Sequence, residues 1–321
     1  MIVILSDKKD TSTNNVIDWI CHYGENYFLI NSIIDLETFI TRHSVLKIDK
    51  ETERELKNNK ALSVWYRRSP SLNLPTTIVG KMNTDRCIRK FVFSEQKGLF
   101  EAFYAAMKNY KWLNRWSNSS PGKFHQLTLA VKVGLNIPST CILNSKEQLV
   151  SFMNDKGRII VKPIQDIEPI ELDGDYYFQY TKALYLKDMD KLNSTFFPSL
   201  FQKEIKKNME IRTFYINKHF YSMGICSSFD EQTSEDFRRY NDTYPNRVVP
   251  YNLPTELEDK LCALMYELDL NCGSIDLILD DYGEYYFLEV NPVGQFGMVS
   301  YPCNYYLERE IAKFLTDEQP T

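Results

Sequence analysis

Gly273–Gln295 reads GSIDLILDDYGEYYFLEVNPVGQ, and this stretch decides the fold. Ser274–Leu279 and Tyr285–Val290 are apolar runs of strand length, separated by Asp280-Asp281-Tyr282-Gly283-Glu284. Two such runs around a turn with glycine near its tip predict a β-hairpin. A turn centred between Tyr282 and Gly283 sets Asp276 opposite Glu289. Asn291, two residues on, then points to the same face, because side chains alternate along a strand. Directly opposed residues hold their Cβ atoms about 4.5–5.5 Å apart, where like charges repel. A divalent cation between them reverses that sign. Asp, Glu and Asn offer only hard oxygen donors, the set that suits Mg2+ bridging nucleotide phosphates. A single β-bulge would shift the register and turn Asp276 to the other face. The competing reading is a solvated hairpin whose acidic residues keep it soluble.

Upstream lie cations that suit the same chemistry. Lys162 ends the strand-like Arg158-Ile159-Ile160-Val161 run and is followed by Pro163, so it can carry a compact charge into a cleft. Lys123 opens a helix, where backbone amides and the helix dipole favour an anion. Each is also readable as an ordinary solvated lysine. Phe201-Gln202-Lys203-Glu204-Ile205 reads as an apolar edge able to offer backbone hydrogen bonds to a purine. Glu210 and Arg212 alternate on one strand face, an acid for ribose hydroxyls and a fork for phosphate or carboxylate, or else a surface ion pair. No GxxxxGK[ST] and no GxGxxG occurs, which excludes the P-loop, kinase and dinucleotide-binding patterns.

The rest of the chain sets the frame. Its 321 residues suit two or three subdomains, and 43% hydrophobic with 25% charged residues is a globular composition. A net charge of −5 argues against general nucleic-acid binding, which needs clustered Lys and Arg. Seven scattered cysteines without a CxxC pair point to reduced thiols and a cytoplasmic protein. No run approaches the ~20 apolar residues of a membrane span, so no membrane partner is expected. The first hundred residues alternate strands (Met1–Leu5, Tyr27–Ile30, Val64–Tyr66) with helical patterns, which favours a parallel α/β sheet. Ser117-Asn118-Ser119-Ser120-Pro121-Gly122 reads as a linker. After Pro254, Thr255 and Glu258 read as a capping box for a helix with Leu257, Leu261, Leu264, Met265 and Leu268 inward. The expected class is α/β, turning α+β in the C-terminal half.

Taken in order, these motifs resemble an ATP-grasp ligase over about residues 1 to 315. The order is Lys123 ahead of GLNIPST, then IIVKP, FQKEI, EIRTF and IDLIL…FLEVNP. VWYRRSP, DFRRY and NPVGQF further resemble the ATP-grasp peptide maturases of microviridin-type pathways, most closely the grasp-with-spasm maturases. The resemblance implies an N-terminal pre-ATP-grasp-like domain (1–120), a central lid subdomain (121–205) and a C-terminal subdomain with the metal site (206–321). It implies ATP and two Mg2+, with Lys123 and Lys162 on phosphates. Gln202, Lys203, Glu204 and Ile205 would lie at adenine, Glu210 at ribose, and Asp276, Glu289 and Asn291 on the metals. Arg212 and Arg238, with Lys162, would serve the reacting carboxylate or acyl phosphate. The implied partners are a precursor peptide of leader plus core, a second copy of the chain, and a SPASM-type protein of the same pathway. The sequence departs from the wider family between Pro163 and Leu184, where Gly174 stands in place of a glycine-rich phosphate-covering loop. His125 reads as a helix-surface residue, and the Tyr176–Tyr180 stretch as core or as a peptide-pairing strand. Other readings are a ligase adding an amino acid to a protein terminus or small molecule, like the ribosomal-protein glutamate ligase and glutathione synthetase, and a nucleotide-dependent peptide-binding module without turnover.

Overall fold

A computed structural model describes residues 1–43, 63–70, 76–165, 170–172, 175–177, 181–226 and 246–317. The chain divides into two compact units. One comprises Met1–Ser119, Val293–Ser300 and Tyr306–Thr321; the other comprises Ser120–Pro292 and Tyr301–Tyr305.

The first unit holds a parallel sheet of β1 (Ile2–Leu5), β2 (Tyr27–Ile30), β3 (Ser63–Tyr66) and β4 (Lys111–Leu113), in the order β2-β1-β3-β4. Every residue of β1 and β3 is buried, which is why these strands read as continuous apolar runs without alternation. The helices are α1 (Thr11–His22), α2 (Ile33–His43), α3 (Thr76–Thr84) and α4 (Arg86–Ala106). Asp10 caps α1, its carboxylate accepting from the Ser12 N–H at 3.0 Å. Val3, Leu5, Phe39, Val64, Phe103 and Trp112 form the core of this unit.

The second unit is antiparallel. Its first sheet, ordered β5-β10-β6-β9, contains β5 (Thr140–Ser145), β6 (Ile159–Lys162), β9 (Lys182–Leu184) and β10 (Thr195–Lys203). A ribbon, β7 (Ile170–Leu172) with β8 (Asp175–Tyr177), stands apart. The second sheet, ordered β13-β12-β11-β14-β15, contains β11 (Lys207–Ile216), β12 (His219–Cys226), β13 (Arg247–Tyr251), β14 (Cys272–Asp280) and β15 (Tyr285–Asn291). Helix α5 (Lys123–Lys132) and helix α7 (Thr255–Glu267) cover one face of this second sheet. Leu127, Ala130, Leu257, Leu261 and Leu264 meet Ile211, Tyr215, Ile275, Leu277, Phe287 and Val290 there. Helix α6 (Lys146–Lys156) packs Leu149 and Met153 on Ile159 and Phe201 of the first sheet.

Two helices close the chain, α8 (Gly297–Cys303) and α9 (Leu307–Thr316). Leu307, Ile311 and Leu315 form the buried stripe of α9, which packs on α1. The expected capping box on α7 is not formed. Thr255 is already the first helical residue, and the Pro254 carbonyl takes the N–H groups of Leu257 and Glu258 instead. All seven cysteines are free thiols. Among the described residues no helix is long and apolar enough to cross a membrane.

Candidate functional site

The β14–β15 hairpin sets Asp276 opposite Glu289 and Ser274 opposite Asn291. It reaches that register by a route the sequence reading did not foresee. The turn is centred on Tyr282: Asp280 N–H donates to Glu284 O, and Leu279 pairs with Tyr285. Asp280 Oδ1 accepts from the N–H groups of Tyr282 and Glu284, each at 2.9 Å, and Gly283 takes φ +86°. Continued without interruption, this register would bring Leu288 against Asp276. The register shifts between Leu277↔Phe287 and Asp276↔Glu289, so Leu288 bulges out and Glu289 takes the place. The bulge therefore creates the carboxylate pair. It also puts Phe287 and Val290, three residues apart, on the same core face.

A row of alternating charge crosses the sheet at this level. Arg212 of β11 is the direct partner of Asp276, with Nη1 3.6 Å from Oδ1. At the other end Lys123, the first residue of α5, holds Nζ 3.5 Å from Glu289 Oε2. The order is Arg212, Asp276, Glu289, Lys123: two opposed carboxylates flanked by two cations. Both gaps exceed the ~2.7–2.9 Å of a tight charge-assisted hydrogen bond, so the pairs are loose. The four side chains are 11–27% exposed, which places the row in a partly desolvated surface where charges act more strongly than in bulk water. Glu210, two residues before Arg212 on the same face, pairs with Lys207 and not with Arg212.

The other expected nucleotide residues sit on the first sheet of this unit. Ile159 and Val161 face α6, so Ile160 and Lys162 face the opposite side, with Leu200 and Gln202 as their strand partners. Gln202 is buried and its Nε2 donates to Thr140 Oγ1 at 2.9 Å. Strand β10 ends at Lys203, earlier than the expected edge. Glu204, Ile205 and Lys206 connect it to β11. The Lys203 and Glu204 amides bond Ser139 O and Arg158 O, and the Glu204 carboxylate lies 2.6 Å from Arg158 Nε. Among the described residues no acceptor meets the Ile205 N–H. Arg238, Gly174 and the side chains of the Tyr176–Tyr180 stretch lie outside the described residues. His125 is exposed on α5.

The donor chemistry fits a magnesium nucleotide. Asp276, Glu289 and Asn291 supply oxygen ligands only. No cluster of three His, Cys, Asp or Glu side chains occurs among the described residues, so this pair with its carboxamide stands apart from thiolate- or imidazole-type metal sites. Three buried polar atoms, on β10, β11 and β14, carry no hydrogen bond among the described residues: Gln202 Oε1, Arg212 Nε and Ser274 Oγ. Buried polar atoms are normally satisfied, so such a group suits strands that receive a polar ligand.

Two residues of consequence, Gln126 and Arg67, were given no role of their own from sequence. Gln126 is buried in α5; its Oε1 accepts from Val290 N–H at 2.7 Å and its Nε2 donates to Pro121 O at 2.8 Å. It ties the helix that carries Lys123 to the strand that carries Glu289. In the first unit Arg67, from VWYRR, is 2% exposed. Its Nη1 donates to Val293 O at 2.5 Å and Gly294 O at 3.0 Å, and its Nη2 to Ser12 Oγ at 3.1 Å. Its Nε lies 2.9 Å from Asp10 Oδ2, and its guanidinium stacks over Phe296 at 5.2 Å. Arg67 of VWYRR and Val293, Gly294 and Phe296 of NPVGQF, 226 or more residues apart, thus meet in the first unit. Burial pushes the Asp10 carboxyl up, but the Ser12 hydrogen bond and the Arg67 and Arg68 charges outweigh it and hold it below the usual carboxylate range.

No protein-family model matches the chain, and no curated protein matches it by sequence. Solved structures do match. The macrocyclase MdnC of Microcystis aeruginosa MRC, bound with precursor peptide MdnA, is 25% identical over 98% of each chain, with a TM-score of 0.74. A RiPP-associated ATP-grasp ligase of Chryseobacterium gregarium, in complex with ADP and a leader and core peptide, is 22% identical. It covers 98% of this chain and 94% of that one, with a TM-score of 0.73. The fold is that of the ATP-grasp ligases. A third ATP-grasp structure, PsnB complexed with minimal precursor, Mg and ADP, matches at 16% identity and a TM-score of 0.72, over 98% of this chain and 96% of that one. The carboxylate row therefore lies on a sheet of an ATP-grasp fold matched along nearly its whole length.

Proposed function

We propose that this chain is an ATP-dependent carboxylate ligase acting on a ribosomally made precursor peptide of leader and core. It activates Asp or Glu side chains as acyl phosphates and joins them to Ser or Thr hydroxyls or Lys amines, closing ester or amide rings. The observation that carries the reading is the cation-flanked Asp276–Glu289 pair on the ATP-grasp sheet, in a chain whose solved neighbours include macrocyclases and precursor-bound ligases. Residues 121–205 and 206–321 would be the two nucleotide-holding subdomains.

Phosphoryl transfer asks a protein mainly for positioning and for neutralisation of developing charge. Asp276, Glu289 and Asn291 would hold two Mg2+, which when bound supply Lewis-acid neutralisation of the phosphates. Lys123 and Lys162 would add point charges on the phosphate oxygens. The Ile205 amide and the Gln202 Oε1 acceptor suit the edge and exocyclic amine of adenine, and Glu210 the ribose hydroxyls. Arg212 would clamp the reacting carboxylate and the acyl phosphate formed from it, with Arg238 as a second fork. Seven free thiols suit a reducing cytoplasm. A second copy of the chain and a SPASM-type protein remain proposed partners.

The test is to incubate the protein with its cognate precursor, ATP and Mg2+ and weigh the peptide. Loss of one water per link supports the reading, and an unchanged mass sinks it. A ligase that adds a free amino acid would raise the substrate mass by a residue, so the same spectrum separates the two. A peptide-binding module without turnover would leave both the peptide and ATP intact.

A further inference from the structure

We infer that Lys123 is a placeholder cation for Glu289, and that metal and nucleotide binding are coupled through its departure. The inference rests on the proposed magnesium-nucleotide site and adds an order of events within it. Asp276 and Glu289 face each other directly, an arrangement that repels unless a cation intervenes. In this row Arg212 neutralises Asp276 from one end and Lys123 neutralises Glu289 from the other.

The two end cations differ in kind. Arg212 is built into a central strand, with β12 on one side and β14 on the other. Lys123 stands at the first position of α5, on a flexible four-carbon stem, and at 3.5 Å it makes no tight hydrogen bond to Glu289. A divalent cation arriving alone must compete with that ammonium for the same carboxylate. Phosphates at the N-terminus of α5 offer Lys123 a competing anionic partner, and its transfer to them opens Glu289 to the metal. Lys123 is therefore a positioning residue toward the metal as well as a phosphate ligand. The coupling is reciprocal: whatever draws Lys123 away strengthens metal binding, and metal on Glu289 releases Lys123 for the nucleotide.

The probe is Mn2+ alone, titrated into nucleotide-free protein and followed by the loss of the free-ion electron paramagnetic resonance signal. Lys123→Met should bind Mn2+ about tenfold more tightly than wild type, within the usual range of coupling between sites. It should bind ADP more weakly in the absence of metal. Lys123→Arg, which keeps the charge, should restore the weak Mn2+ affinity, an effect that loss of stem packing could not mimic. Unchanged or weaker Mn2+ binding by Lys123→Met, with its circular dichroism and melting as in wild type, overturns the placeholder role and leaves the metal site standing. If neither wild type nor variant takes up Mn2+, the magnesium reading itself falls and this inference with it.

Discussion

Replacing Asp10 by asparagine or alanine strips the buried Arg67 guanidinium of its counter-ion. The contact is 2.9 Å, with side chains 3% and 9% exposed. At an effective dielectric constant of about 20 the gross attraction at that distance is about 6 kcal/mol. The net cost of removing one partner is smaller, about 3–5 kcal/mol, because Arg67 is left as a desolvated charge. Arg67 keeps its bonds to Val293 O, Gly294 O and Ser12 Oγ, which places Asp10→Asn near the lower end, about 3 kcal/mol. Asparagine also preserves the cap on α1. Alanine does not, so Asp10→Ala should lose about 1 kcal/mol more. All four tryptophans, at 19, 65, 112 and 116, lie in the same compact unit as Asp10, so urea unfolding followed by tryptophan fluorescence reads that unit. The pH dependence has a definite sign. The folded carboxyl titrates below its unfolded value of about 3.9, so its stabilisation is complete above that pH and is lost as pH falls through the folded value. Wild type and Asp10→Asn should therefore differ at neutral pH, begin to converge as pH falls below about 4, and meet once pH is below the depressed folded value. A neutral-pH difference under about 0.5 kcal/mol, the scale of an ordinary surface substitution, would refute this account of Arg67.

Further expectations concern the carboxylate row. Glu289→Gln and Asp276→Asn should each lower Mg2+-supported turnover by about 10²–10³, the scale seen when a preorganised charge-stabilising group is lost; ATP hydrolysis at wild-type rates in both variants would remove them from the metal site. Gln126→Leu leaves the Val290 N–H without its acceptor and should cost about 1–3 kcal/mol, with faster hydrogen exchange at that amide. Gly273→Ala would bring a Cβ to 2.9 Å from Val290 Cγ2 and 3.4 Å from Asn291 O. The strand bearing Asn291 must then give way, at about 1–3 kcal/mol and with weaker Mn2+ binding. Gly283→Ala, strained by its φ of +86° but facing open space at the hairpin tip, should cost about 1 kcal/mol and leave Mn2+ binding unchanged.

The hairpin was legible because apolar runs around a glycine turn leave little choice of local structure, and its carboxylates face each other as their positions suggested. The route to that register was only half legible. A turn centred on Tyr282 looks almost the same in sequence as one centred a half-step later, and only the three-residue spacing of Phe287 and Val290 betrays the bulge. Strands β1 and β3 of the first unit were visible as short apolar runs, since burial on both faces removes any need for alternation; β2 was also visible, while β4, the three residues Lys111–Leu113, was not. The partners of Arg67 were not, because a contact across 226 residues leaves no local pattern. Gln126 was hidden for a related reason: a glutamine on the inner face of α5 looks like any polar helix residue until the Val290 amide meets it. Of the readings for Glu210, the ion pair with Arg212 is replaced by one with Lys207, three residues away on a strand that starts with a register shift, which brings it to the same carboxylate.

Acyl-phosphate chemistry leaves a signature that no other route to an ester or amide shares. A precursor carrying heavy oxygen in its Asp and Glu side-chain carboxylates should be incubated with the protein, ATP and Mg2+, and the released inorganic phosphate analysed by mass. The account predicts one labelled oxygen in phosphate for each link formed, because the carboxylate oxygen that takes the phosphoryl group departs with it. Links that form while the phosphate stays unlabelled would contradict it.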